Sequence, residues 1–177
     1  MEAYTSMHMT VKGRVNVNEV VVLLKNELMK KANDRFSKKY VPVFCNDMKV
    51  YGKEVDVDES CSLSSSEMEY FKDVLTTIAE NFNCEFTFSA NHYSCNCGYE
   101  EYIEASYKNG VLTYKDMASE DMGGWCSDED CGEYIIHVLD YDPSKTYTCP
   151  ECGRVVPEEE LFPNGVPTWE VEEIRIK

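Results

Sequence analysis

The chain has 177 residues, 43% of them hydrophobic and 12% aromatic, which suffices for one full core or a core plus a small appendage and excludes more than two compact units. A formal net charge of −16, from 33 acidic against 17 basic residues, describes a surface that repels phosphate backbones at long range and attracts cationic partners. The acidity is uneven: residues 1–60 carry ten Lys/Arg against nine Asp/Glu, whereas residues 61–177 carry seven against twenty-four.

The opening residues lack a basic start, an apolar run and a cleavage site, and no apolar run reaches the length of a membrane span, so neither export nor membrane insertion is expected. His8–Val15 alternates, with Met9, Val11 and Val15 on one face, as a half-buried strand does. A helix is predicted next. Asn16 is its candidate cap, Glu19 stands three residues on, and Val20, Val21, Leu24, Leu28 and Ala32 form its apolar face. The lysines and arginine at Lys30, Lys31, Arg35, Lys38 and Lys39 suit a helix C-terminus, where the dipole favours cations; a functional basic patch is the second reading.

Val41–Phe44 reads as a short strand and Lys49–Asp58 as a longer one. Asp56, Asp58 and Glu59 could be imagined around a Mg²⁺, but acids on the wet face of a strand explain them more simply. Ser64 and Glu67 form a capping box ahead of a helix whose Met68, Phe71, Leu75, Ile78 and Phe82 recur at three and four. Cys84, Phe86, Phe88 and Ala90 then alternate with polar residues as a strand with one wet face. The order β-α-β-β-α-β is that of a ferredoxin-like α+β sandwich, an antiparallel sheet covered by two helices. Two alternating runs around Asn109-Gly110 extend that sheet by a hairpin.

Beyond residue 115 the helical signal stops. An acidic, glycine-bearing stretch leads to a strand at Glu133–Tyr141, a turn, the knuckle TYTCPECGRVV, an acidic proline-bearing segment and a closing strand with Trp169, Val171, Ile174 and Ile176. The expected division is an α+β domain over 8–115 and an acidic β domain over 116–177.

Three cysteine pairs end in Cys-Gly: Cys95/Cys97, Cys126/Cys131 and Cys149/Cys152. Two thiolates that converge on one ion at about 2.3 Å need a tight turn, and a glycine after the second cysteine permits the positive φ of that turn. Cys126-x4-Cys131-x17-Cys149-x2-Cys152 brackets a strand and a turn. Over about thirty residues it resembles the zinc-ribbon family, with the departure that the first knuckle is x4 and not x2. Cys95 and Cys97 are the alternative partners of the CPECG knuckle, and His92 could join them in a second site. Four cysteines close the shell around a zinc ion and leave no position for water or substrate, so the site would be structural. Cys45, Cys61 and Cys84 read as core or incidental. Nine cysteines, an odd number falling mostly in close pairs, fit thiolate-bound metal in a reducing cytoplasm better than disulfides.

No enzyme is expected, since the three histidines sit in no catalytic motif, His137 included, and no phosphate-cradling loop appears. Direct nucleic-acid binding by the ribbon is opposed by charge, because residues 116–177 offer only Lys145, Arg154, Arg175 and Lys177. The chain resembles, in general character and through no single motif, the phage-borne inhibitors of bacterial defence: antirestriction proteins and anti-CRISPR proteins that act on Cas9. That resemblance implies a cytoplasmic protein of a bacterial host that occludes a positively charged surface. Asp128, Glu129, Asp130, Glu158, Glu159 and Glu160 are the expected contact residues. The alternatives are a nucleic-acid-binding ribbon, an accessory protein of a phage or mobile element, or acidity that serves only solubility.

Overall fold

A computed structural model describes residues 3–61, 63–94, 98–128 and 130–176. The architecture is mixed α+β, and the chain divides into two compact units, one of residues 1–117 with 169–177 and one of residues 118–168.

The first unit is built on a sheet of seven strands in the order β11-β6-β5-β4-β1-β3-β2. They are β1 (Ala3–Lys12), β2 (Lys49–Tyr51), β3 (Glu54–Cys61), β4 (Glu85–Ser94), β5 (Tyr99–Lys108), β6 (Val111–Ser119) and β11 (Glu170–Arg175), with β2–β3, β3–β1, β1–β4, β4–β5 and β6–β11 antiparallel. Period-two alternation puts Met7, Met9, Val11, Val55, Val57, Phe86, Phe88, Ala90, Ile103 and Ala105 into one core. Helices α1 (Val17–Lys31), α2 (Ser37–Asp47) and α4 (Tyr70–Asn81) cover that face with Leu24, Leu28, Phe44, Phe71, Leu75 and Ile78. A short helix, α3 (Ser65–Met68), precedes α4 and is broken from it at Glu69.

Local chemistry fixes the ends. Asn16 caps α1 by accepting the Asn18 N–H at 3.1 Å, and the Glu67 carboxylate accepts the Ser64 N–H at 2.5 Å. Asn109 and Gly110 both take positive φ, 52° and 76°, which is the type I′ geometry that matches strand twist between β5 and β6.

Three expectations about the elements are corrected. Lys49–Asp58, expected as one strand, is the hairpin of β2 and β3, turned at Gly52 with φ 62°. Val41–Phe44 is helical and not a strand: Asp34 accepts the N–H groups of Phe36 and Ser37 and so starts α2, whose Val41, Phe44 and Cys45 turn inward at helical spacing despite Pro42. The closing strand, expected within 116–177 as part of the second domain, belongs to the first unit. As β11 it pairs with β6, from Arg175 opposite Val111 to Glu170 opposite Asp116, and its half-buried Ile174 and Ile176 pack on the same core.

The second unit consists of two small hairpins: β7 (Gly123–Trp125) with β8 (Tyr134–His137), and β9 (Tyr147–Thr148) with β10 (Val155–Val156). A 3₁₀ turn follows β8, so the expected strand ends at His137, whose Nδ1 accepts the Leu139 N–H. One turn of helix, α5 (Glu158–Leu161), brings Leu161 and Phe162 inward beside Met122 and Val138, and Tyr141 packs edge-on against Phe162. Gly124 marks how tightly this small core is closed. A Cβ there would stand 3.0 Å from Ile136 Cγ2, 3.2 Å from Leu161 Cδ2 and 3.3 Å from Phe162 Cζ. Gly124→Val is therefore expected to destabilise the unit by about 1–3 kcal/mol, seen as an earlier urea midpoint for its transition; an unchanged midpoint would show that the packing yields.

Candidate metal centre and acidic surfaces

Each hairpin of the second unit ends in a cysteine knuckle, and the two are closed alike. Cys126 donates its N–H to the Glu133 carbonyl at 2.8 Å, and Cys149 donates to the Arg154 carbonyl at 2.9 Å. Gly132 and Gly153, each just after the second cysteine, take φ of 58° and 73° and donate to the carbonyl four residues back, Asp128 and Cys149 respectively, both at 3.0 Å. The longer first spacer is thereby accounted for. Its turn opens at Asp128, and the two extra residues sit ahead of an otherwise equivalent knuckle. Asp128 also accepts the Asp130 N–H through Oδ1 at 3.1 Å, which rigidifies the insertion.

The four sulfurs of Cys126, Cys131, Cys149 and Cys152 lie within 4.8 Å of one another, with Cys126–Cys152 at 3.7 Å and Cys131–Cys149 at 3.5 Å. A tetrahedral ion with ligands at about 2.3 Å holds its sulfurs ~3.8 Å apart, so the set could hold a metal ion with little adjustment. Cys126 and Cys149 are buried and Cys152 is exposed, so the site opens to solvent on one side. Backbone N–H groups of Cys152 and then Glu151 pull the Cys149 thiol down to about 7 against the effect of burial. The Glu133 amide favours the Cys131 thiolate, but the Cys149 sulfur and burial outweigh it and push Cys131 up to about 12.

Cys95 and Cys97, the alternative pair, lie outside the described residues, as does Glu129. His92 is buried and shares a hydrogen bond of 3.3 Å with the Thr5 hydroxyl, which also accepts the Leu63 N–H. Burial lowers its pKa. Cys45 and Cys84 are buried in the first unit, as expected of core thiols, and burial pushes Cys45 up to about 11.

No protein-family model, curated protein or solved structure matches the chain.

The structure sorts the expected contact acids into two kinds. Glu160 is held by Arg154 and Ser127, and Arg154 also donates to Ser127 Oγ at 3.1 Å, so these side chains tie the first knuckle to α5. Glu158 accepts the Tyr141 hydroxyl. Asp128 shapes its own loop. Asp130 and Glu159 project into solvent, as do Glu133, which falls in the expected acidic stretch 116–133, and Glu151, which lies outside the expected stretches 116–133 and 158–160. No helix among the described residues is long and apolar enough to cross a membrane.

A second acidic surface lies in the first unit. A cleft of about 470 Å³ is lined by Glu69, Asp73, Asp116, Glu170 and Glu172, with Lys72 as its single cation. Lys72 pairs with Glu172. Behind the cleft, Glu101 is 6% exposed and accepts the Tyr99 hydroxyl at 3.2 Å. Burial, reinforced by Asp116 and Glu69, pushes its carboxyl up to about 7 although the Tyr99 bond opposes the shift. Because the folded pKa exceeds the unfolded one, the native state keeps this proton longer. Its contribution to stability is complete below about pH 4.5 and is lost as pH rises through about 7. Glu101→Gln is expected to remove that loss, on the order of 2 kcal/mol, so that the variant is the more stable protein at pH 8 and not at pH 4.5; parallel pH–stability curves would refute this.

Proposed function

We propose that residues 118–168 form a zinc-stabilised acidic module that binds a cationic protein surface without catalysis. What carries the reading is the unequal balance of charge within the unit. It holds twelve acidic residues against Lys145 and Arg154, and both cations are already paired, with Asp142 and Glu160. Asp130, Glu133, Glu151 and Glu159 are left to face solvent from short, hydrogen-bonded turns, and a fixed field of one sign steers oppositely charged partners.

Zinc is the ion that suits four cysteine ligands in a closed shell, and the paired knuckles support a ribbon-like arrangement. Four thiolates around Zn²⁺ carry a formal charge of −2, so the ion organises the acidic surface and leaves it acidic. In the first unit the strand order β4-β1-β3-β2 and the α-helical cover support a ferredoxin-like core, extended by β5, β6 and β11.

The partner we propose is the nucleic-acid-binding surface of a bacterial defence enzyme, a Cas9-type nuclease or a restriction enzyme, with the protein acting in the host cytoplasm as anti-CRISPR and antirestriction inhibitors do. Spaced carboxylates occupy such a channel in place of phosphates. The competing reading, direct nucleic-acid binding, relied on the basic cluster of the first unit. There Lys30 pairs with Glu27 and Lys31 with Asp73, each at 2.5 Å, so part of that footprint is neutralised. The test is competition: the protein should displace DNA from Cas9 or a restriction enzyme at near-equal stoichiometry and should not itself shift labelled DNA. A mobility shift by the protein alone that Lys30/Lys31 charge reversal removes would sink the proposal.

A further inference from the structure

We infer that the exposed Trp125–Tyr134 pair is the seat of an arginine side chain from the cationic partner. The inference rests on the acidic-module reading and adds to it the residue that gives specificity. Trp125 is 52% exposed and Tyr134 41%, although both lie in a unit small enough to gain from burying any large ring. They face each other across β7 and β8, with centroids 5.1 Å apart in an edge-to-face arrangement. Their position is fixed from below. A Cβ at Gly123 would stand 2.9 Å from Trp125 Nε1 and 3.1 Å from Tyr134 Cε2, so the pair rests directly on glycine backbone and has little freedom to collapse. Such a surface is ordered before anything binds it, which removes part of the entropic cost of binding.

The chemistry around the pair selects the occupant. Cys126 and its knuckle follow Trp125 directly and Glu133 precedes Tyr134, so the knuckle that joins the two rings carries the exposed carboxylates Asp130 and Glu133. An indole face attracts a cation through its quadrupole, and a guanidinium can stack on the ring while donating to carboxylates at its rim. Lys145 and Arg154, the cations of this unit, are committed elsewhere. This unit therefore has no uncommitted cation of its own to offer the pair, which leaves the seat to a partner's arginine. Nucleobases also stack on such rings, but the surrounding carboxylates repel the phosphates that would accompany them.

The probe is an arginine-rich peptide titrated against the full-length, zinc-loaded protein carrying Trp169→Phe, which leaves Trp125 as its one tryptophan. A lysine peptide of equal length and a single-stranded oligonucleotide are the other arms. Saturable change in Trp125 emission with the arginine peptide is expected. Trp125→Leu, read through the fluorescence anisotropy of the labelled peptide because it lacks the reporting indole, should weaken binding about tenfold and Trp125→Phe by less, with the salt dependence unaltered and zinc content and circular dichroism certifying the fold. Binding that Trp125→Leu leaves untouched, while Asp130→Asn with Glu133→Gln weakens it, would overturn this inference and leave the acidic module standing. Failure of both peptides to bind would overturn the module itself. Oligonucleotide binding that depends on Trp125 would overturn both.

Discussion

Chelation is expected to unfold residues 118–168 and to leave the seven-stranded sheet folded. Apart from the cysteines, the second unit's buried apolar side chains are few, among them Met122, Val138, Val156, Leu161 and Phe162, a core of a size that does not hold a domain of this length without a staple. Its acidic residues repel one another as well. Zinc-finger peptides gain about 10–16 kcal/mol of apparent binding energy from their ion at neutral pH, which is ample to reverse that balance. One equivalent of zinc per chain should be found by elemental analysis. After treatment with a strong chelator, alkylation followed by mass spectrometry should newly modify Cys126, Cys131, Cys149 and Cys152 and spare the buried Cys45 and Cys84. Cys149→Ser should reproduce the effect without chelator. Purified protein that contains no zinc, or that resists alkylation equally before and after chelation, would remove the metal from the account.

Association with a cationic surface is expected to slow by about tenfold or more between 0.01 M and 0.15 M salt, as the Debye length falls from roughly 30 Å to about 8 Å. Neutralising the outward-facing Asp130, Glu133 and Glu159 together should lower the on-rate about tenfold, with thermal stability nearly unchanged, since none of the three forms an ion pair with another described residue. Glu158→Gln and Glu160→Gln should behave in the opposite way. They weaken the bonds to Tyr141 and Ser127, whose hydroxyls still find the amide oxygen, and remove the Arg154–Glu160 ion pair, so stability falls modestly and the on-rate moves little. Stopped-flow measurement against the isolated partner separates the two groups. An on-rate indifferent to salt would mean that the carboxylates do not steer.

The parts of this molecule legible in the sequence are those set by local periodicity. Alternation located β4, β5, β6 and the later half of β1, which runs from Ala3 to Lys12 and stops short of the expected Val15, and cap residues located α1 and the start of the Ser64 helix. The segment Val41–Phe44 misled because proline and β-branched residues favour extended structure, while the decisive signal, the Asp34 carboxylate on two backbone N–H groups, lies several residues upstream. Four of the paired cysteines could be grouped from spacing, but spacing alone did not choose between Cys95/Cys97 and Cys126/Cys131 as partners of the CPECG knuckle. The matching closing bonds at Glu133 and Arg154 depend on three-dimensional turns. The acidic cleft was out of reach for another reason. It joins Asp116 to Glu170 and Glu172 across fifty-odd residues, through the pairing of β6 with β11. Trp125 and Tyr134 flank the first knuckle in sequence, and a hairpin register drawn through the two cysteines would have placed them opposite each other.

The pairing of Asp116 with Glu170 has a consequence for how such a molecule can be rebuilt. Partners in an antiparallel ladder stand about 5 Å apart, so the chain leaves the large sheet and comes home at practically the same point. The unit that carries the four-cysteine cluster is thus a cassette spliced into what would otherwise be an ordinary hairpin tip. Its excision, with Met117 joined to Trp169 through a two-residue Asn-Gly link, should yield a soluble remnant that retains its ladder, and the vacated tip would accept a foreign insert in its stead.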